Sequence, residues 1–398
     1  MRTVEPLHIR VLRLLRESGA VSRAELATRL EVPRPRLLTE LERLVAAGYV
    51  AEAGRAASRG GRPSTLVEVD PRLRFAAVDL GATSIDVEVT DGRLEPLAAY
   101  AEPADIRSGP RAILNRVNEL LVKAKADGAY ERLDAIGIGV PGPVSFRDGV
   151  PVSPPIMPGW DRFPVREFLT REHGCPSVVD NDVNIMAIGE RHGGVANSLD
   201  DFLFVKVGTG VGCGVHLNGV VYRGKDGCAG DIGHIQVDAH GPVCTCGNVG
   251  CLEAVFSGAA LARAALAAAT SGASPALAER LATARAVDDS ASLSAVDVAA
   301  GAAEGDLACM RLIRDGGRRL GGVLAGLVNF TNPSMIVIGG GLAQLGHPLL
   351  AEIRSVVFRR SLPLATGNLP LVLSELGPRA GVTGAAVLAS DVAFEQAS

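Results

Sequence analysis

Apolar residues recur at helical spacing in three short segments near the start of the chain. Intervals of three and four residues predict helices over about 7–18, 22–30 and 34–47. Ser22 and Glu25 form a capping-box pattern that opens the second helix, and Gly48 is the stop signal of the third. The positions expected to face the core of this segment are Leu7, Val11, Leu14, Leu15, Leu26, Leu30, Leu37, Leu41, Leu44 and Val45.

Two alternating apolar runs follow these helices. They cover residues 49–51 and 65–69, and the basic, glycine-rich stretch 55–63 between them predicts a hairpin. Three helices and a hairpin are the order of a winged helix-turn-helix, whose third helix enters the major groove while the wing lies along the DNA backbone or minor groove. The residues expected to face DNA are Arg34, Arg36, Thr39, Arg59 and Arg62. A small helical module for protein contacts, with a solvated arginine surface, is the alternative.

The charge distribution favours DNA binding. Residues 1–74 carry 14 arginines against nine acidic residues, a net +5, whereas the remainder carries 26 basic against 35 acidic residues, a net −9. A basic segment joined to an acidic one is typical of a nucleic-acid reader fused to another domain, with a chance imbalance as the alternative. The chain has 398 residues, 47% of them hydrophobic, which suits two or three globular domains and excludes wholesale disorder.

We expect a cytoplasmic protein that does not contact a membrane. The start of the chain lacks the apolar core of a secretory signal, so its seven cysteines predict free thiols or a metal site instead of disulfides. Residues 320–351 contain no charged side chain, but interruptions at 329–333 and 339–341 predict a buried helix, a turn and a buried strand.

After residue 71 the pattern changes to alternating strands and helices. Two apolar strands, over 75–80 and 202–207, each end in a turn that contains glycine and threonine and lead into a further strand. This repetition indicates a duplicated architecture, and turns with bare backbone N–H groups bind phosphate. Either turn alone is more often only a hairpin. The candidate nucleotide-binding residues are Asp79, Gly81, Thr83, Gly208, Thr209, Gly210, Gly339, Gly340 and Gly341.

Polar side chains also follow the apolar strand near residue 178. Asp182 is a candidate general base, because a carboxylate within hydrogen-bond reach of a sugar hydroxyl is what phosphoryl transfer to that hydroxyl requires. The alternative, which the local sequence supports equally well, is that Asn181 or Asp182 only caps the next helix.

A cysteine cluster carries the sharpest chemical signal. Cys244, Cys246 and Cys251 have the spacing Cys-x-Cys-x4-Cys, and His234 lies ten residues before the first of them. Three thiolates and one imidazole complete a closed tetrahedral set, which suits structural Zn²⁺ and leaves no open position for a metal-bound water. Free thiols around turn glycines are the alternative. The other cysteines are expected to be buried small side chains: Cys175, Cys213, Cys228 and Cys309.

These motifs together resemble those of the ROK family, whose name joins repressors, open reading frames and sugar kinases. The most specific element is Gly230-Asp-Ile-Gly-His234 followed by Cys-x-Cys-Gly-x-x-Gly-Cys-x-Glu over 244–253. Four further motifs occur in the same order as in the family. They are Pro141-Gly-Pro143, Gly159-Trp160, Asn181-Asp182 and the second candidate phosphate-binding turn, Gly208-Thr209-Gly210. The resemblance covers essentially the whole chain.

The resemblance implies an actin-like, hexokinase-type α/β fold of two subdomains, with a sugar in the cleft between them. The expected organisation is a winged helix-turn-helix domain over 1–72 and a kinase-like, sugar-binding domain over 73–398. The latter would comprise a small subdomain of about 73–190 with the C-terminal helix, and a large one of about 191–385. The sugar contacts carried over from the family are Asn181, Asp182, Asp231, His234 and Glu253.

Two departures from the family's kinases bear on activity. Those kinases usually have Asp-x-Gly-Gly-Thr-Lys in the first loop, where this chain has Asp79-Leu-Gly-Ala-Thr-Ser84, and they usually have Glu where Asp231 stands. The first change removes a glycine and a cation, so ATP and Mg²⁺ binding is expected to be weak or vestigial.

The basic segment over residues 1–74, the head, decides the functional prediction, because free-standing kinases of the family lack it. We expect a transcriptional regulator that responds to a sugar or sugar phosphate and represses carbohydrate-metabolism genes. It would bind an inverted repeat in double-stranded DNA as a homodimer or homotetramer. The alternatives are an ATP-dependent kinase of a hexose or amino sugar that also binds DNA, and a protein whose head makes protein contacts only.

Overall fold

The computed structural model describes residues 5–55 and 64–397. The chain divides into two compact units, one of Met1–His192 with Gly381–Ser398 and one of Gly193–Ala380. The first unit therefore contains both ends of the chain.

The N-terminal part of the first unit, the head, has the predicted order of helices and strands. Its elements are α1 (Leu7–Ser18), β1 (Val21–Ser22), α2 (Arg23–Leu30), α3 (Arg34–Ala46), β2 (Val50–Arg55) and β3 (Thr65–Val69). The strands form an antiparallel sheet in the order β1-β3-β2. The hairpin of β2 and β3 is the predicted wing, whereas the two-residue β1 was not predicted because it is too short to show a pattern.

Two details of the head differ from the prediction. Val45 is 42% exposed, because α3 buries the stripe of Leu37, Leu41 and Leu44, and at 100° per residue Val45 lies on the flank of that stripe. The Ser22 hydroxyl accepts the Glu25 N–H at 3.2 Å, but the Glu25 carboxylate lies 3.8 Å from the Arg29 guanidinium, one turn further along α2.

A five-stranded mixed sheet forms the rest of the first unit. Its elements are β4 (Phe75–Leu80), β5 (Ser84–Thr90), β6 (Pro96–Pro103), α4 (Pro110–Ala126), β7 (Ala135–Val140), β8 (Val144–Ser145), β9 (Val150–Pro151), α5 (Val165–His173), β10 (Ser177–Asn181) and α6 (Asp182–Gly193). The order is β10-β7-β4-β5-β6, in which β10, β7 and β4 are parallel and β5 and β6 antiparallel. Strands β8 and β9 pair separately.

The second unit repeats this arrangement. Its elements are β11 (Phe202–Val207), β12 (Val211–Leu217), β13 (Val220–Val221), α7 (Leu252–Val255), α8 (Gly258–Thr270), α9 (Pro275–Arg285), α10 (Ala295–Ala303), α11 (Leu307–Thr331), β14 (Ile336–Gly339), α12 (Gly346–Arg360), α13 (Pro363–Thr366) and β15 (Leu371–Leu373). The order β13-β12-β11-β14-β15 again joins three parallel strands to two antiparallel ones. The duplicated architecture expected from the two glycine turns is therefore confirmed.

The long apolar stretches of the second unit belong to its core. Residues 320–351 form the predicted buried helix, turn and strand. One helical stretch in the described part of the chain, Leu252–Thr270, is long and apolar enough to cross a membrane. It also supplies Leu252, Phe256 and Leu261 to the buried cluster, as core helices of globular domains do.

The C-terminal helix α14 (Arg379–Glu395) completes the first unit and packs against two of its parts. Its first half lies against the five-stranded sheet, and its second half joins the core of the head. The head therefore shares one buried cluster with distant parts of the chain. The members of that cluster from outside the head are Phe75, Ala135, Ala389, Ala393, Phe394 and Ala397.

Candidate functional site

Four side chains of types that bind metals converge in the second unit. His234 ends the short 3₁₀ helix Ile232–His234, Cys251 immediately precedes α7, and Cys244 and Cys246 lie in the loop between them. One potential ligand atom from each residue lies within 4.8 Å of all the others. The predicted His-Cys set is thus brought together by the fold.

The distances within this cluster fit a tetrahedral metal. The Cys246 and Cys251 sulfurs are 3.8 Å apart, and the Cys244 sulfur lies 3.5 Å from His234 Nδ1. Zinc bonds of about 2.3 Å to sulfur and about 2.0 Å to nitrogen place tetrahedral ligands about 3.8 Å and about 3.5 Å apart. The residues therefore suit a structural zinc ion held by His234 Nδ1 and three thiolates.

The loop around the cluster is tightly built. Gly250 has φ +69°, and a Cβ at this position would overlap the Asp238 carbonyl oxygen, so only glycine fits there. The Cys244 N–H donates to the Asn248 carbonyl oxygen at 2.7 Å and closes the turn. The backbone N–H of Asn248 in turn lowers the pKa of Cys246, which favours the thiolate that a metal requires.

Glu253 connects this cluster to the glycine turn between β11 and β12. Its Oε2 accepts the Val211 N–H at 2.9 Å, and the Gly258 N–H at the start of α8 donates to the Gly208 carbonyl oxygen at 2.6 Å. A side chain at Gly210 would come within 2.5 Å of the Glu253 carboxylate. Glu253 is therefore positioned by Cys251 on one side and by the turn on the other.

Asp231 and His234 lie close together beside the cluster. His234 Nε2 is 3.9 Å from an Asp231 carboxylate oxygen, which is too long for a hydrogen bond. Partial burial raises the pKa of Asp231 and the neighbouring imidazole opposes this shift. Because Nδ1 faces the thiols, Nε2 is the ring nitrogen directed away from the metal cluster.

The two glycine turns of the second unit lie at one end of its sheet. Gly208, Thr209 and Gly210 follow β11, and Gly340 and Gly341 follow β14. Strands β11 and β14 are parallel neighbours, with Lys206 paired to Gly339, so their carboxyl ends meet at this edge. Ligands of α/β folds bind at this kind of edge.

In the first unit, Asn181 and Asp182 stand at the junction of β10 and α6. The Asn181 Oδ1 accepts the Val183 N–H at 2.9 Å, so Asn181 performs the capping role. Asp182 is buried, and its Oδ1 accepts hydrogen bonds from the Val183 N–H and the Asn181 amide. Capping by Asn181 leaves the chemical role of Asp182 open.

Asp180, which was not among the predicted site residues, holds this junction together. The buried Asp180 carboxylate accepts the Asn181 N–H at 2.8 Å and the Asn184 side-chain amide at 2.9 Å. An acidic residue directly ahead of Asn-Asp was the available signal, because a charge at the end of a buried strand needs partners.

The first predicted nucleotide loop is a tight hairpin. Asp79 lies near the end of β4, and the Gly81 N–H donates to the Ser84 carbonyl oxygen at 3.0 Å across a two-residue turn that contains Thr83. The Ser84 hydroxyl donates to the Asp86 carboxylate at 3.1 Å. Ser84, which stands where kinases of the family usually have lysine, thus forms a hydrogen bond within the hairpin.

The predicted DNA-facing residues of α3 are exposed. Arg34, Arg36 and Thr39 all lie on the solvent side of this helix, and the Thr39 hydroxyl donates to the Pro35 carbonyl oxygen at 3.2 Å. The other two predicted contacts, Arg59 and Arg62, lie outside the described residues.

The remaining cysteines follow the prediction with one exception. Cys175, Cys213 and Cys309 are buried, but Cys228 is exposed. Cys228 lies in the loop between β13 and the 3₁₀ helix, where it follows the charged residues Arg223, Lys225 and Asp226.

Comparison with known proteins identifies the family to which residues 75–392 belong. The family model described as "ROK family" matches residues 75–392, from the start of β4 to near the end of α14. The chain belongs to the ROK family. Residues 1–74, which form the head, lie outside the match.

Proteins of two kinds, a repressor and a kinase, resemble this chain. The xylose repressor of Caldicellulosiruptor bescii is 28% identical over 388 residues, which cover 96% of this chain and 95% of the repressor. A glucokinase of Halalkalibacterium halodurans is 33% identical over 313 residues, 78% of this chain and 93% of the kinase.

A solved structure of a ROK-family transcriptional regulator, a homologue of the Escherichia coli MLC protein, matches with a TM-score of 0.81 and 26% identity. The match covers 98% of this chain and 96% of that one. The ROK fold with an added N-terminal head is therefore shared with a regulator along nearly its whole length.

Proposed function

We propose that this ROK protein is a sugar-responsive, DNA-binding transcriptional regulator that represses carbohydrate-metabolism genes in the cytoplasm. The observation that carries the proposal is the winged head over residues 1–74, which precedes the family match and shares a buried cluster with the ROK part. Relatives named as a repressor and a transcriptional regulator cover this head as well, whereas the glucokinase match covers a smaller part of the chain.

DNA reading is assigned to α3 and the wing. We propose that Arg34, Arg36 and Thr39 face the major groove and that Arg59 and Arg62 of the wing segment contact the minor groove or backbone. A homodimer or homotetramer would place two such helices on an inverted repeat.

The test is a duplex that the purified protein selects from a random-sequence library. Arg36→Ala should weaken binding to it and relax preference at one position, by about 1–3 kcal/mol for a lost base contact. Arg111→Ala, an exposed arginine of α4, is the matched control and should bind as the unmodified protein does. Failure to select any sequence would contradict the proposal.

Sugar recognition is assigned to polar residues in each unit. In the first unit these are Asn181 and Asp182; in the second they are Asp231, His234 and Glu253. The donors and acceptors of these side chains suit sugar hydroxyls. Titration of D-xylose, D-glucose, N-acetylglucosamine and their 6-phosphates (5-phosphate for xylose) against the selected duplex should reveal an effector that changes DNA affinity.

We propose that the His234, Cys244, Cys246 and Cys251 set holds a structural Zn²⁺. With four protein ligands the ion would have no open coordination position, so it supplies no reactive water and only fixes the loop. His234 and the Glu253 segment would thereby be oriented toward the sugar.

An ATP-dependent sugar kinase that also binds DNA is the second candidate. The buried Asp182 and the glycine turns of the second unit favour it, as does the similarity to a glucokinase. ADP release with ATP, Mg²⁺ and the same sugars tests this candidate. Release that disappears in Asp182→Asn would support a kinase, whereas a sugar-induced thermal shift without ADP would support a sensor.

A further inference from the structure

Helix α6, which begins at two of the proposed sugar contacts, packs backbone to backbone against α14. A Cβ at Gly384 of α14 would overlap the Ile185 carbonyl oxygen of α6 and lie 2.9 Å from the Gly189 N–H. Ile185 and Ile188 add apolar contacts at the same crossing, in a cluster with Val382, Ala385, Ala386 and Leu388 of α14. The crossing leaves no space in which one helix could move without displacing the other.

The two ends of α6 lie at different places in the first unit. Its N-terminal end carries Asp182 beside Asn181, and its last turn carries His192. The 12 residues of α6 span about 18 Å at about 1.5 Å per residue. Burial, together with the nearby Arg16 and Arg191 charges, lowers the pKa of His192 to about 4, and the Asp391 charge opposes this shift. The far end of α6 therefore lies beside the contact between α14 and α1.

That contact is an ion-pair cluster. The Asp391 carboxylate accepts hydrogen bonds from Arg16 at 2.7 Å and Arg13 at 3.0 Å, both on α1. Arg16 also donates to the Ser390 hydroxyl at 2.6 Å, and its side chain is only 5% exposed. Charge-assisted contacts to a nearly buried guanidinium fix the relative position of the two helices more strongly than surface pairs do.

The end of the chain also reaches the recognition helix itself. Arg43 of α3 donates a hydrogen bond to the Ala397 carbonyl oxygen. Phe394 and Ala397 lie in the buried cluster that contains Leu41 and Leu44 of α3. Phe394 is also edge-on to Phe75 of β4, with ring centroids 6.5 Å apart. The C-terminal end of the chain therefore packs against α3 on the side away from the side chains of α3 that are proposed to contact DNA.

We propose that α6 and α14 together couple sugar occupancy at Asn181 and Asp182 to the position of the recognition helix. In this arrangement the Arg16–Asp391 pair is a positioning contact that touches neither sugar nor DNA. Packed helices transmit shifts of about 1–2 Å without losing their structure, which is the scale of movement that regulatory interfaces use. The inference rests on the proposed function and names the route of its regulation.

The alternative is that α14 is only a static brace for the head. A brace would contribute stability and DNA affinity equally with and without sugar. A coupling element would change the ratio of the two DNA affinities, because it carries the difference between two states. The ratio separates the two roles, whereas stability or DNA affinity alone does not.

The experiment measures the dissociation constant for the selected duplex with and without a saturating effector sugar, in full-length protein. Asp391→Asn removes the charge that holds Arg16, and Ile188→Ala thins the crossing of α6 with α14. Glu172→Gln, at an exposed carboxylate of α5 outside this ion-pair cluster, is the control. Thermal unfolding verifies folding, and Asp391→Glu and Ile188→Val replace any variant that does not fold.

The expected result is a sugar effect on DNA affinity that falls at least threefold toward unity in Asp391→Asn and Ile188→Ala, from the 5–150-fold typical of such coupling. The sugar affinity of both variants should stay within about twofold of that of the unmodified protein. The control Glu172→Gln should match the unmodified protein in every measurement. Variants that lose DNA affinity equally in both states, or keep the original ratio, would overturn the coupling role. An unmodified protein that binds sugar and DNA without any mutual effect would overturn the proposed function together with this inference.

Discussion

The Glu253 carboxylate accepts the Val211 backbone N–H at 2.9 Å and so joins the proposed metal loop to the glycine turn after β11. Glu253 follows Cys251 by two residues, within the single turn of α7. A shift of the loop would therefore move both the carboxylate and the turn. The hydrogen bond thus links Glu253, a proposed sugar contact, to a turn proposed to bind phosphate.

Glu253→Gln should weaken sugar binding about 10-fold or more, because a hydrogen bond to a charged group contributes about 1.5–3 kcal/mol. The amide retains the shape of the side chain and can still accept the Val211 N–H, which limits the structural damage. Calorimetric titration of the effector sugar measures the change. Glu279→Gln, on an exposed face of α9, should bind sugar normally, and equal affinity for both variants would remove Glu253 from the sugar contacts.

Cys246→Ser should abolish stoichiometric zinc and the sugar response together, since one lost thiolate opens the tetrahedral set. Elemental analysis by mass spectrometry and the sugar-induced thermal shift are the two measurements. The control is Cys228→Ser, because Cys228 is exposed and lies outside the cluster. A zinc-free Cys246→Ser protein with an intact sugar response would contradict the proposed role of the ion.

Gly250→Ala should damage the metal loop far more than Gly247→Ala. Both glycines have positive φ, at +69° and +91°, so each alanine incurs a backbone cost of about 1 kcal/mol. Only at position 250 would the new Cβ overlap a backbone oxygen, that of Asp238; at 247 it meets open space. Zinc retention during dialysis against a weak chelator should fall in Gly250→Ala and persist in Gly247→Ala. Equal retention would mean that the loop relaxes around the added methyl group.

The stability of the first unit should fall as the pH drops from about 6.5 to about 4. The pKa of His192 is lowered to about 4 by burial and by Arg16 and Arg191, so in this range the unfolded chain takes up a proton that the folded chain does not. The full effect is about 3 kcal/mol at about 1.4 kcal/mol per pH unit.

Trp160 reports this change selectively, because it is the one tryptophan of the chain and is buried in the first unit. Urea unfolding followed by its fluorescence at pH 7 and pH 4.5 should show the loss. His192→Gln should flatten the dependence, whereas His347→Gln, at an exposed position of the second unit, should leave it unchanged. A pH dependence that survives in His192→Gln would assign the effect to other groups.

Local patterns were sufficient to predict the repeated sheets and the metal cluster. Strand alternation and glycine turns act over a few residues, and the cysteine spacing fixes three ligands within one loop. The same reasoning was wrong for Val45, where neighbouring leucines made a flank position look buried. It was also wrong for Cys228, because the prediction relied on the usual burial of free cysteine and not on the neighbouring charged residues Lys225 and Asp226.

Contacts between distant parts of the chain could not be predicted in this way. Arg16 and Asp391 are 375 residues apart, and no local pattern marks either as a partner of the other. The ambiguity between Asn181 and Asp182 had the same origin, because both residues suit a helix start. The Val183 N–H donates to both side chains, and the further bond from the Asn184 N–H to Asn181 Oδ1 at 3.3 Å identifies Asn181 as the capping residue.

The buried cluster of the head also constrains protein engineering. A chimera that exchanges residues 1–74 between two regulators of this kind would leave Phe394 and Ala397 facing a foreign surface. Such a graft should misfold or lose operator affinity unless the last helix is transplanted with it. The portable unit of DNA specificity is therefore a discontinuous one, assembled from the two ends of the polypeptide.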